Sequence, residues 1–139
     1  MKILSTLLLF LLTGSAQSAG IDVSFSAGWI KQLPPIVPMR AGYLQINNPS
    51  ALAVSIVALH SDAFEKVEMH ETMMADDMMK MIELDSILLP AKSQLELRPG
   101  GKHLMLINPL QTLNIGDSVP LQITFSDLTT QTTQLLIKK

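Results

Sequence analysis

Val119-Pro120-Leu121-Gln122-Ile123-Thr124-Phe125 alternates with period two. In extended backbone this places Val119, Leu121, Ile123 and Phe125 on one face and Gln122 and Thr124 on the other, the pattern of a half-buried antiparallel strand. The same period recurs along the chain after a short apolar leader. Candidate strands are Ile21 to Ala27, Gly42 to Asn47, Ala51 to Ser61, Phe64 to His70, Met79 to Leu84, Gln94 to Arg98, His103 to Ile107, Val119 to Ser126 and Thr132 to Ile137. Turn formers fall between them at strand-length intervals: Pro34-Pro35, Pro38, Asn47-Asn48-Pro49, Pro90, Pro99-Gly100-Gly101, Asn108-Pro109 and Asn114-Ile115-Gly116-Asp117. No window carries a long helical period, so the fold class expected is all-β, a sandwich or barrel. Trp29 and Tyr43 are expected as core or rim aromatics.

Residues 1–18 read as a cleaved secretory signal peptide. Lys2 gives the basic start, Ile3 to Leu12 an apolar stretch too short to span a bilayer, and Ala16-Gln17-Ser18 a small-x-small cleavage site before Ala19. No cysteine lies near the cut to carry a lipid anchor, and no later stretch approaches the roughly 20 apolar residues of a membrane helix. The expectation is an exported, periplasmic protein whose residues 19–139 form a single domain. Removing Lys2 with the leader leaves nine basic side chains against twelve acidic ones, a net charge of −3, which argues against nucleic acid as a partner. With no cysteine anywhere, stability must come from packing, and any metal site must do without thiolate.

One constellation stands out. His70 is followed after ten residues by Met81, and after twenty-one more by His103-Leu104-Met105. On a strand, His103 and Met105 project together about 6.5 Å apart while Leu104 and Leu106 project oppositely. A hairpin through Glu71 to Lys80, with Asp76-Asp77 at its tip because Asp tolerates left-handed backbone, brings Met81 back toward His70. Two imidazoles and two thioethers suit Cu(I), a soft ion that accepts both donors. Methionine also supplies six of the thirteen residues from Met69 to Met81, whereas cores use it sparingly. Met39, Met69, Met73, Met74, Met78 and Met79 are therefore candidates for auxiliary copper ligands or for an adaptable apolar surface. His60, beside Ser61-Asp62, has no spaced partner and is expected to be structural. Glu71, Asp76 and Asp77 read as a solvated loop.

Set in VEMHETMMADDMMKM and LELRPGGKHLML, this spacing closely resembles the signature of the PCu(A)C family of periplasmic copper chaperones. Trp29 with Pro34-Pro35, Ala41-Gly42-Tyr43-Leu44 and Asn47 resemble that family's amino-terminal half. Asp77 departs from the glycine that the family often has at the hairpin tip. The resemblance implies a cupredoxin-like Greek-key β-sandwich, monomeric, binding one Cu(I) per chain through His70, Met81, His103 and Met105. It further implies copper delivery for the Cu(A) centre of cytochrome c oxidase, with subunit II as receiver and a thioredoxin-like copper chaperone as companion.

The competing reading within copper biology is a periplasmic buffer or resistance protein that sequesters copper through the Met-rich hairpin. A blue-copper carrier needs a Cys thiolate, which is missing. A zinc hydrolase lacks the second His of a His-Glu-x-x-His helix, and no Ser/His/Asp arrangement is recognisable, so no enzymatic activity is expected. A metal-free adhesion module is the remaining class.

Overall fold

The computed structural model describes residues 22–139, so the expected leader, its cleavage point and Ile21 lie outside the described residues. Ten strands follow: β1 (Ser24–Lys31), β2 (Met39–Asn48), β3 (Val54–His60), β4 (Phe64–Ala75), β5 (Met78–Leu84), β6 (Ile87–Leu89), β7 (Ser93–Leu97), β8 (Lys102–Pro109), β9 (Ser118–Phe125) and β10 (Thr130–Lys138). The expected strands are all present. β6 is additional, and β2 and β4 run longer than the sequence pattern suggested. Ile87-Leu88-Leu89, held between Asp85-Ser86 and Pro90, is too short to show a period of its own.

Hydrogen bonding links the strands in the order β5-β4-β8-β2-β1-β10-β9-β3-β6, with β7 also on β2. This ribbon folds over on itself as a β-sandwich. β1 joins the two layers, antiparallel to β2 and, over Trp29 to Lys31, parallel to β10. A bulge between Ser26 and Trp29, where Ala27 has φ 52°, gives β1 the bend this needs.

β9 behaves as its alternation dictates: Val119, Leu121, Ile123 and Phe125 are buried while Pro120 and Gln122 are exposed. Pro120 lies beyond the last β3 pairing, His60 with Gln122, so its missing N–H falls where β9 is laddered on one side only. Leu104 and Leu106 of β8, Val67 and Met69 of β4 and Leu44 of β2 join the same core. Each such side chain contributes about 1.5–3 kcal/mol by leaving water. Gly42 marks the closest approach in this layer, because a Cβ there would come within 2.9 Å of Leu106 Cδ1 and 3.3 Å of Leu104 Cβ. β4 and β8 therefore bury one face firmly in the sandwich, which fixes the direction of the other.

Candidate metal centre

The non-core face of β4 and β8 carries the candidate ligands. β4 lies between β5 and β8, so its residues are paired on both sides: His70 is opposite His103 on β8 and opposite Glu83 on β5. The two imidazole rings stand 5.9 Å apart between centroids, tilted by 43°. Met105 shares the face of His103 and sits between Glu68 of β4 and Ala41 of β2, whose methyl leaves room for the longer thioether. Met81 is opposite Thr72, one same-face step from His70 and diagonal to it. All four residues thus share one face of three adjacent strands.

Their exposure is graded. His103 is only 3% exposed, His70 and Met105 are half-buried, and Met81 is 62% exposed. Trp29 and Tyr43, with rings 4.7 Å apart, continue this face onto β1 and β2. Burial raises the Tyr43 phenol above its ordinary value, so it stays neutral. The expected hairpin is present, and Asp76 and Asp77 take φ 52° and 60°, the left-handed pair of a two-residue type I′ turn. Asp77 thus adopts the conformation for which glycine is the usual choice.

The hydrogen bonds fix the ring nitrogens. His103 Nδ1 lies 2.9 Å from the carbonyl oxygen of Gly101, which can only accept, so Nδ1 carries the proton. Gly101 is held in turn: its N–H donates to Arg98 O at 3.1 Å and its carbonyl accepts from Thr72 N–H at 3.1 Å. His70 Nε2 lies 2.7 Å from Glu68 Oε2. An ion-paired hydrogen bond from Lys66, and then the one from His70, hold the Glu68 carboxyl below its usual range, so it accepts from His70 as a carboxylate. The remaining ring nitrogens, His70 Nδ1 and His103 Nε2, are buried and have no hydrogen-bond partner. Neutral imidazole presents a lone pair at such a nitrogen, and a buried polar atom left unpaired costs about 1–3 kcal/mol. A metal ion is one partner such a lone pair can take. Carboxylate and carbonyl partners behind ligating imidazoles are the usual means of fixing tautomer and ring direction.

Glu68 and Gly101 were not anticipated from the sequence. The signal for Glu68 was available, since the i, i+2 rule that joins His103 with Met105 also joins Glu68 with His70. Nothing local marked Gly101. Met69 is a correction to the auxiliary candidates: it is 5% exposed, opposite Leu104, and packed in the core on the other face. Met73 and Met78 also lie on the other face, although exposed; Met74 and Met79 share the face of His70. Met39 is exposed at the start of β2, opposite Ile107. His60 pairs locally with Asp62 at 2.8 Å. Among the described residues, no group of three or more His, Asp or Glu is placed to hold a metal ion.

A family model described as "Putative lipoprotein LpqE-like" matches residues 23–137. The chain belongs to the LpqE-like family. One relative, named "Putative lipoprotein Lxx21020", from Leifsonia xyli subsp. xyli (strain CTCB07), is 30% identical over 131 residues, covering 91% of this chain and 78% of that protein. The LpqE-like chain also superposes on the copper-bound PCuAC domain from PmoF2, with a TM-score of 0.72 at 17% identity over 86% of this chain and 95% of that domain. The solution structure of Cu(I)-DR1885 from Deinococcus radiodurans gives 0.63 at 22% identity over 91% and 83%. Those likenesses establish the fold as the cupredoxin-like β-sandwich of PCuAC domains, as the motif resemblance implied.

Proposed function

We propose that this LpqE-like protein is a periplasmic Cu(I) metallochaperone, and that His70, Met81, His103 and Met105 hold one ion as cargo. The observation that carries this reading is the pair of buried, partnerless ring nitrogens on the cross-strand neighbours His70 and His103, each on an imidazole whose other nitrogen is already engaged. Met105 supplies a thioether one same-face step along β8, and exposed Met81 supplies one from the solvent side. Its three rotatable bonds let it close over the ion last and leave first. Neutral donors hold Cu(I) without requiring proton release beyond that of any protonated His, and thioethers hold it less firmly than thiolates, which suits an ion that must be passed on. Copper-bound structures of proteins with this fold support the choice of metal.

The receiver we assign, the Cu(A)-bearing subunit II of cytochrome c oxidase, with a thioredoxin-like chaperone as companion, follows from the family resemblance. A transfer assay against the isolated Cu(A) domain tests it. For the site, His103→Ala combined with Met105→Ala should lower Cu(I) affinity at least about a hundredfold in competition with a chromophoric chelator, equivalent to about 2.7 kcal/mol. Unchanged affinity would end the metal reading.

A further inference from the structure

The face bearing the proposed ligands continues past Met81. Outward along the β4–β5 hairpin, its cross-strand pairs are His70 with Glu83, Thr72 with Met81, and Met74 with Met79, the last beside the Asp76-Asp77 turn. Met74 and Met79 are 66% and 69% exposed, like Met81, so none of the three serves the core. Residues directly opposite have Cβ atoms about 4.5–5.5 Å apart, and residues two apart on a strand stand about 6.5–7 Å apart. Long unbranched side chains at those spacings can turn three sulfurs onto one ion. Neutral thioethers select soft cations such as Cu(I) and offer nothing to Ca²⁺ or Mg²⁺, which take oxygen ligands.

We propose a second, thioether-only Cu(I) site formed by Met74, Met79 and Met81 at the outer end of the hairpin, sharing Met81 with the His70–His103 centre. The proposal deepens, and rests on, the function assigned to that centre. Because Met81 belongs to both sets, an ion at the tip reaches the imidazoles by ligand exchange: bonds to Met74 and Met79 break as bonds to His70 and His103 form, while the bond to Met81 persists. Copper stays Cu(I) throughout, and no electron changes hands. Preoriented imidazoles bind more firmly than exposed thioethers, so the first equivalent settles at the base and the second at the tip, the two lone pairs of the Met81 sulfur then bridging the two ions. The other face of the hairpin provides an internal control, because Met73 and Met78 are also exposed methionines but point away from the trio.

The test is a titration of the full mature protein with Ag(I), a soft monovalent ion that resists oxidation, and with Cu(I) under reductant, following methionine methyl signals by NMR. The first equivalent should shift Met81 and Met105, and the second Met74, Met79 and Met81. Met74→Leu with Met79→Leu removes two of the three donors and should weaken the second equivalent at least about tenfold, since loss of even a contact behind a ligand costs that much in other metal sites. Met73→Leu with Met78→Leu should change it by less than about twofold, the usual scale for a surface substitution. Absence of a second equivalent, its survival in the Met74/Met79 variant, or equal shifts at Met73 and Met78 would each overturn the tip site. A first equivalent that shifts Met74, Met79 and Met81 but leaves Met105 unmoved would sink the base centre while supporting the tip.

Discussion

The two ends of the β4–β5 hairpin use similar residues in opposite ways. At the base, His70 is flanked by β8 and β5, its ring direction is set by Glu68, and the strand's other face is buried through Val67 and Met69. At the tip, Met74 and Met79 are paired with each other, and among the described residues no strand lies on the far side of β5. The base therefore offers donors whose orientation is fixed before an ion arrives, and the tip offers donors that must be gathered. Prior orientation raises affinity by lowering the ordering cost of binding. Loose, exposed donors favour rapid capture and release.

Removing support beneath the base should have the largest effect on stability. Leu106 is fully buried on β8 next to the ligand strand face, and Leu106→Ala should cost about 2–5 kcal/mol in urea unfolding, while Met74→Ala stays within about 0.5 kcal/mol. Equal costs would erase the distinction between base and tip.

A smaller effect is expected at Glu68, which sharpens the same contrast by loosening one ring. Glu68→Gln should lower Cu(I) affinity about tenfold in chelator competition, with the second-equivalent affinity unchanged. In the apo protein the carboxyl titrates below its ordinary value near 4.5. Its stabilisation is therefore fully present above that value and fades as pH falls through the lowered folded one. The melting-temperature gap between wild type and Glu68→Gln should close in that acid window. A gap that stayed open through that window would contradict the Glu68–His70 and Glu68–Lys66 contacts.

The smallest effect belongs to the turn. Asp77 holds φ 60°, which glycine adopts freely, so Asp77→Gly should change stability by less than about 1 kcal/mol, upward once strain relief exceeds the added freedom of the unfolded chain. Base affinity should not move. A large loss of stability would mean that the Asp77 side chain does more than terminate the hairpin.

The expected strands, the hairpin tip and the four candidate donors were legible in the sequence because each depends on local rules: period two, left-handed tolerance at Asp, and i, i+2 proximity. β6 escaped because three residues carry no measurable period. Met69 escaped for a different reason. It sits in the methionine run, yet it is one residue from His70, and a single step along a strand reverses the face, so the strand that carries the candidate donor His70 also sends Met69 into the core.

By itself, then, the sequence determined the alternating faces, the absence of thiolate and the soft donor set. Tertiary structure decided that β4 lies between β5 and β8, so that His70 meets His103 across thirty-two intervening residues, and that Glu68 and the Gly101 carbonyl each occupy one ring nitrogen while the other is left open. The physical reason is that side-chain direction along a strand is set by neighbouring residues, whereas the order of strands is set by which buried faces pack together across the whole chain.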